Sequence, residues 1–215
     1  MIVRYAFRER IVHWIAAVSY VYLLLTGLAF WTPALYWIAI VLGGGFLTRA
    51  VHPWVGVLFA AAVLWMFAIW RRDMRATAAD REWRRAMAHY IRNEDDRVPG
   101  AGRFNYGQKT LFWVMVWSTL VLLVSGVLLW FPDAIPGGLR AVREAAILLH
   151  AIAALVTVGA FIVHLYMGLA VVPGGLAAML HGEVSEQWAR HHHPLWRHGG
   201  AERTDHASST DAHVR

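Results

Sequence analysis

The chain has 215 residues, of which 58% are hydrophobic, and its mean hydropathy of +0.43 exceeds what a soluble domain of this size can bury, so the composition indicates a membrane protein. Cysteine is absent, which excludes disulfides, thiolate metal sites, cysteine-ligated iron–sulfur clusters and covalent attachment of a c-type haem. The net charge is +6, but no basic, aromatic-interleaved stripe accompanies it, which argues against nucleic acid as a partner.

Four uncharged apolar runs are long enough to cross a membrane as helices, which takes roughly 20 residues each. The second run begins near His52 and Pro53, because proline is tolerated in a first helical turn. The apolar piece 34–46 ends at a run of three glycines and is too short for a crossing, so we predict an interfacial segment. The predicted spans are residues 11–31, 52–70, 110–131 and 145–172.

The distribution of basic residues predicts the direction of the spans. If the N-terminus (1–10), the loop 71–109 and the tail 173–215 share one side, that side carries 17 Arg and Lys residues against 3 on the other. The positive-inside rule then places both termini in the cytoplasm. The predicted fold is an all-α integral membrane four-helix bundle, with a helical stretch at 80–90 in the loop and a disordered end of the tail.

Four of the twelve histidines lie within or at the ends of these spans. They are His13, His52, His150 and His164. An ionisable side chain in a membrane is a candidate functional residue, because burying its polar ring without a partner is costly. For any one of them alone, a hydrogen bond to a neighbouring helix is an equally good interpretation.

The spacing of these histidines favours a shared function. His150 and His164 are fourteen residues apart, which places them within about 40° of one helix face and about 21 Å apart along its axis. Span four runs from outside to inside, so His150 pairs with His52 on the outer side and His164 pairs with His13 on the inner side. Two bis-imidazole sites suit two low-spin b haems stacked across the bilayer, which carry electrons.

Other residues near these pairs leave alternatives open. Gly27 and Gly126 would give room for a haem edge, or serve ordinary close helix packing. Arg49 would neutralise a haem propionate, or be a solvated loop residue. Zinc is a weaker interpretation, because the histidines are too far apart for one tetrahedral site and no cysteine or acidic ligand joins them.

Several motifs resemble the membrane cytochrome b (gamma) subunit of respiratory formate dehydrogenase, from about residue 4 to residue 196. A related cytochrome b of membrane-bound nickel–iron hydrogenase shares the two-haem plan, but FNYGQK and the closing GEVSEQWA segment favour the formate family. The motifs, in chain order, are RIVHW, VHPWVG, FNYGQK, LLHAIAA, FIVHLYMG and GEVSEQWARHHHP.

The resemblance implies a complex in the bacterial inner membrane. A catalytic alpha subunit with molybdenum or tungsten would oxidise formate, and an iron–sulfur beta subunit would pass the electrons to this chain. The electrons would cross from the outer to the inner haem and reduce menaquinone or ubiquinone, with proton uptake from the cytoplasm. This chain would therefore contain no residue that acts on formate.

The resemblance also implies that Asn105, Gly107 and the region of His164 line the quinone site. From the residues alone, 105–107 is also interpreted as a turn that caps span three, with Lys109 snorkelling to the membrane interface. Other cytoplasmic histidines would assist proton delivery, or simply decorate a solvated surface. These are His89, His181 and the triplet 191–193.

Two alternatives to a formate dehydrogenase subunit remain. One is the cytochrome b subunit of a nickel–iron hydrogenase or of another quinone-linked oxidoreductase, in which only the partner differs. The other is a haem-free membrane anchor or small transporter, in which the four histidines brace the bundle.

Overall fold

The computed structural model describes residues 1–92, 94 and 97–196, so the tail end predicted to be disordered lies outside the described residues. Two short strands, β1 (Ile2–Val3) and β2 (Glu183–Val184), pair antiparallel, and a π-helical turn (Met167–Val171) extends α7. The α-helices in these residues are α1 (Phe7–Trp31), α2 (Trp37–Val41), α3 (Gly45–Trp70), α4 (Ala78–Arg85), α5 (Met87–Ile91), α6 (Tyr106–Trp130), α7 (Arg140–Tyr166), α8 (Gly175–His181) and α9 (Glu186–His192).

Four helices, α1, α3, α6 and α7, are long and apolar enough to cross a membrane, which confirms the predicted four-helix membrane fold. Their starts differ from the sequence-based bounds. The helix α3 begins at Gly45 instead of near His52, and Pro53 lies inside it. Proline inside a helix removes one backbone hydrogen bond, a loss that membrane helices tolerate. Helices α6 and α7 also begin earlier, because charged side chains end an apolar run without ending the backbone hydrogen bonding.

The segment between α1 and α3 does not cross. It consists of a 3₁₀ turn (Pro33–Leu35) and α2, whose Ile38 and Ala39 pack against Ala29 of α1. Gly43 and Gly44 follow with φ angles of +99° and +97°, a region that glycine enters without steric cost and that turns the chain into α3. The last two residues of the predicted interfacial segment thus belong to α3, and its place at the interface stays a prediction.

The four long helices form an open bundle. Helix α1 packs along α3, α6 packs along α7, and α3 contacts α6. The remaining side, between α1 and α7, is bridged by aromatic rings, such as Tyr20 and Phe161 at a centroid distance of 4.9 Å. Large apolar side chains on the outer surface, such as Leu148 and Trp117, are exposed, as expected for helices that face lipid.

The N-terminus, the loop 71–109 and the tail meet at one end of the bundle. The β1–β2 pairing joins Ile2 to Val184. Arg4 is 1% exposed, donates to the carbonyl of Arg103 and lies 3.2 Å from Nε2 of His193. We call Arg4, Gly102, Arg103 and His193 the N-terminal clasp. The guanidinium of Arg4 also lies against the rings of Tyr5, Phe104, Trp188 and Trp196.

Arg103 ties the clasp to the first turn of α1. It donates to Oε1 of Glu9 at 2.8 Å and to Oδ2 of Asp73 at 2.7 Å, and Glu9 also accepts a bond from Nε1 of Trp70 at 2.6 Å. Burial alone would lower the pKa of Arg103, but these two carboxylates raise it. The three segments that were predicted to share one side of the membrane therefore share one end of the bundle, and the side itself stays a prediction.

Lys109 does not snorkel to the interface, contrary to the sequence-based interpretation. Its side chain is buried, and Nζ donates to Oδ2 of Asp80 at 2.7 Å and to the carbonyl of Arg75 at 3.1 Å. Burial by itself would raise the pKa of Asp80, but the bonds from Lys109 and Thr77 hold it below its usual value. This ion pair attaches the loop, whose predicted helical middle is present as α4 and α5, to the start of α6.

His193 is likewise not a solvated residue. It is 4% exposed, its Nδ1–H donates to the carbonyl of Gly102 at 2.7 Å, and its Nε2 accepts from Arg4. Burial and the Arg4 charge lower the pKa of His193 to about 3. The structure therefore assigns this member of the histidine triplet a packing role at the clasp.

The clasp should weaken as the pH falls below about 6.5, the pKa of an unburied histidine. Between that pH and about 3, the opened state binds one more proton than the closed state, so stability falls by about 1.4 kcal/mol per pH unit. Hydrogen exchange of residues 183–196, corrected for its intrinsic pH dependence, measures this loss. A His193→Gln variant should remove the contribution of His193 to the pH dependence of clasp stability. Full protection of these residues in the unaltered chain down to pH 4.5 would contradict the prediction.

Candidate haem-binding site

The four predicted histidines form two pairs at different depths of the bundle. Helix α7 carries His150 and His164, whose spacing of fourteen residues corresponds to about 21 Å along the axis. The rings of His13 on α1 and His164 face each other, with centroids 6.0 Å apart and planes inclined by 57°. On the other side, His52 on α3 lies within electrostatic range of His150. We call His13 and His164 the inner pair and His52 and His150 the outer pair, after the sides of the membrane that the sequence predicts for them.

The distance between the rings of the inner pair is compatible with both rings binding one metal ion. Imidazole nitrogens bind metals at about 2.0 Å, so rings on opposite sides of one ion have centroids about 6 Å apart. The observed 6.0 Å between His13 and His164 matches this spacing. Within the described residues, no cluster of three or more His, Cys, Asp or Glu side chains could hold a metal. Two-ligand haem iron therefore suits these rings better than tetrahedral zinc.

Two hydroxyl groups that sequence analysis did not identify contact the outer pair. Oγ1 of Thr26 lies 2.6 Å from Nδ1 of His52, and Oγ of Ser125 lies 2.9 Å from Nδ1 of His150. Both hydroxyl residues are buried, with 0% and 3% exposure. Serine and threonine are ordinary residues in membrane helices, so nothing in their sequence positions singles them out.

The inner pair has a different environment. Nδ1 of His13 is buried and makes no hydrogen bond within the described part of the chain. The ring of His13 also contacts Trp14 edge-on, at a centroid distance of 5.5 Å. An imidazole nitrogen without a partner is expensive in an apolar bundle, a cost that ligation of the same ring would help to offset.

The two glycines singled out by sequence have different surroundings. A Cβ atom on Gly126 would stand 3.3 Å from Cε1 of His150, so this glycine lets the imidazole lie directly against α6. A Cβ atom on Gly27 would meet nothing within 4 Å, so there is space next to α1 at the depth of Thr26. The room for a haem edge at Gly27 stays a prediction. Arg49, the candidate propionate partner, is exposed.

The predicted quinone residues lie at the start of α6, at the same end as the N-terminal clasp. Oδ1 of Asn105 accepts a bond from the backbone of Gln108 at 2.9 Å, and Oε1 of Gln108 accepts one from the backbone of Asn105 at 3.0 Å. This capping box agrees with the interpretation of 105–107 as a helix cap. Gly107 follows Asn105 in the first turn, where an added Cβ would lie 3.4 Å from Oδ1 of Asn105.

A cavity and a groove adjoin each other beside these residues. A polar cavity of about 300 Å³ is lined by Asn105, Arg103 and Lys109, among others. An apolar groove of about 480 Å³, lined by Trp113 and Val156 among others, faces outward along α6 and α7. Asp80, Tyr106 and Lys109 line both hollows, so the buried ion pair separates a polar space from an apolar one.

The fold and the site define a class: a membrane-spanning four-helix protein with two histidine pairs suited to axial metal ligation at two depths. The chain belongs to the prokaryotic cytochrome b561 family, whose model matches residues 4–182. The matched residues include all four long helices and all four histidines of the two pairs.

Curated relatives cover almost the whole chain. The cytochrome b556(fdo) subunit of formate dehydrogenase from Escherichia coli K12 is 37% identical over 196 residues, which are 91% of this chain and 91% of the relative. The nitrate-inducible cytochrome b556(Fdn) subunit from the same organism is 31% identical over 91% of this chain and 90% of the relative. The cytochrome b556 subunit of formate dehydrogenase from Haemophilus influenzae is 30% identical, with 91% and 82% covered.

The close contact of Gly126 with His150 can be tested by adding a methyl group. In a Gly126→Ala variant the imidazole must shift, so if His150 is a haem ligand as the sequence predicts, its haem should bind about 10- to 100-fold more weakly, as for other changes that disturb ligand orientation. Haem content per purified chain, measured by haemochrome absorbance, reports this loss. Gly159→Ala is the matched control, because its added Cβ meets nothing within 4 Å, and equal loss in both variants would contradict the prediction.

Proposed function

We propose that this chain is the membrane cytochrome b subunit of a formate dehydrogenase and carries electrons through two b haems to a membrane quinone. The observation that supports the proposal most directly is the pair of histidine sites on α7. Each of its two imidazoles has a second imidazole from another helix at the same depth. This is the arrangement required for two haems stacked across a bilayer.

In this proposal, His13 and His164 hold the inner haem, and His52 and His150 hold the outer haem. A haem with two imidazole ligands supplies a one-electron carrier without an open coordination position. The chain itself provides the ligands, the apolar surroundings and the separation along α7. The 6.0 Å distance between the rings of the inner pair supports this assignment.

The three relatives named above support the choice of partner, because each is a cytochrome subunit of a formate dehydrogenase. A molybdenum- or tungsten-containing subunit would oxidise formate, and an iron–sulfur subunit would deliver the electrons near the outer pair. The names of these relatives favour this partner over a nickel–iron hydrogenase. A haem-free anchor is disfavoured, because the chain belongs to a cytochrome family.

The quinone would bind near Asn105, Gly107 and the inner pair. The cap of α6 uses Oδ1 of Asn105, so the hydrogens on its Nδ2 are not committed by the cap and can be donated to a quinone carbonyl. The apolar groove beside Trp113 suits a hydrophobic quinone, and the polar cavity lies on the other side of Lys109.

The direction of electron transfer across the membrane would determine how the reaction conserves energy. With both termini in the cytoplasm of a bacterium, electrons would move inward from the outer to the inner pair, and the quinone would take its two protons from the cytoplasm. Moving one charge against the membrane potential costs about 2.3 kcal/mol per 100 mV. Quinone reduction would thus add to the proton-motive force across the inner membrane.

Single histidine variants test the haem assignment. We expect His150→Ala and His52→Ala to lose the same haem, and His13→Ala and His164→Ala to lose the other, because each iron requires two ligands. Haem quantification with reduced-minus-oxidised spectra should give two b haems per unaltered chain and one in each variant. A tail variant, His192→Ala, is the control and should keep both. Retention of both haems in His150→Ala would contradict the pairing.

Purification of the complex tests the partner. A tag placed after residue 215 should recover an iron–sulfur subunit and a molybdenum or tungsten subunit with the chain. Formate should then reduce its b haems in the purified complex, and an added quinone should reoxidise them. Co-purification of nickel–iron hydrogenase subunits, with hydrogen rather than formate as the reductant, would overturn the formate assignment and leave the haem pairs in place.

A further inference from the structure

Two buried hydroxyl groups contact the outer histidine pair in the same way. Thr26 reaches across from α1 to His52 on α3, and Ser125 reaches from α6 to His150 on α7. In both cases the hydroxyl meets Nδ1 of the ring. The two rings of one proposed haem are therefore each approached at the same nitrogen by a neighbouring helix.

The hydrogen bonds within α1 and α6 indicate which atom donates. A hydroxyl has one hydrogen and two lone pairs. Oγ1 of Thr26 donates to the carbonyl of Tyr22 at 2.9 Å, and Oγ of Ser125 donates to the carbonyl of Val121 at 2.6 Å. With each hydroxyl hydrogen given to its own helix, each oxygen can accept a bond from Nδ1–H of the histidine; His150 also has a hydrogen bond to the backbone of Leu122. The opposite nitrogen, Nε2, then carries the lone pair that binds iron.

We propose that Thr26 and Ser125 are positioning residues that fix the tautomer of both outer ligands and lower the midpoint potential of the outer haem. The inference rests on the proposed function, since it requires a haem between His52 and His150. A hydrogen bond from Nδ1–H raises the basicity of the ring. A more basic ligand stabilises the ferric state more than the ferrous state, which lowers the potential.

The inner pair supplies the contrast. Nδ1 of His13 is buried without a hydrogen-bond partner in the described part of the chain, so the inner pair lacks at least one of the two bonds that the outer pair has. On this difference alone, the outer haem has the lower midpoint potential of the two. Electrons that enter at the outer haem then move to an inner haem that accepts them more readily, toward the quinone.

Redox titration of the two haems tests the proposal. The variants are Thr26→Val, which keeps the shape of the side chain, and Ser125→Ala. Each should raise the midpoint potential of the outer haem and leave that of the inner haem unchanged, and the double variant should raise it further. The outer haem is identified as the one missing from His150→Ala.

Thr48 provides a matched control on α3. It is 0% exposed, and its hydroxyl donates to the carbonyls of Gly44 and Gly45 at 3.0 and 3.2 Å. It therefore resembles Thr26 in burial and in its bond to its own helix, but no histidine bond to it is present among the described residues. Thr48→Val should leave both midpoint potentials unchanged.

A conservative variant covers the case in which Thr26→Val fails to retain the outer haem. Thr26→Ser keeps the hydroxyl, so retention of the haem with an unaltered potential in this variant, beside loss in Thr26→Val, supports the positioning role. Loss in both variants would overturn it, because a general packing defect would then explain the result.

Other outcomes separate this inference from the proposed function. If the unaltered chain holds two b haems but Thr26→Val and Ser125→Ala leave both potentials unchanged, the positioning role is wrong and the electron-transfer function stands. Equal shifts of both haems would also overturn it. Absence of haem from the unaltered complex would instead reject the proposed function itself.

Discussion

Each nitrogen of an imidazole ring inside a hydrocarbon layer needs a partner, and this requirement organises the middle of the bundle. Helix α7 brings two such rings into the membrane, and no water is available there to satisfy them. At the outer pair, hydroxyl groups from α1 and α6 are hydrogen-bonded to Nδ1 of His52 and of His150. In the proposed function, the second nitrogen of each of these rings binds haem iron, so the same need for partners would connect the packing of the helices to the cofactor.

The four helices could be predicted from sequence, and the four histidines placed along them, because both depend on local periodicity. An apolar run of membrane length defines a span, and a spacing of fourteen residues returns a side chain to nearly the same helix face. The helix starts were less predictable. The polar first turns at Tyr106 and Arg140 end the apolar runs, although the backbone hydrogen bonds continue through them.

The hydroxyl partners and the ion pairs could not be predicted, because they join residues that are far apart in the chain. Thr26 and His52 are 26 positions apart, and Asp80 and Lys109 are 29 apart. A threonine in a membrane helix usually bonds to its own backbone, and Thr26 does so as well, which conceals its second role. His193 shows the converse, since its place in a polar triplet suggests solvent while its ring is buried beside Arg4.

The polar end of the bundle also affects the inner histidine pair. Glu9 lies one helical turn before His13, and its carboxylate is held by Trp70 at the end of α3 and by Arg103 before α6. These bonds fix both the depth and the rotation of the first turn of α1, and a ring four residues further along the same face takes its position from that turn. The outer pair has its own hydroxyl partners, whereas the ring of His13 lacks a partner for Nδ1 among the described residues. The first turn of α1 is thus held by polar side chains outside the apolar core, whereas the rings of His52 and His150 have hydroxyl partners within it.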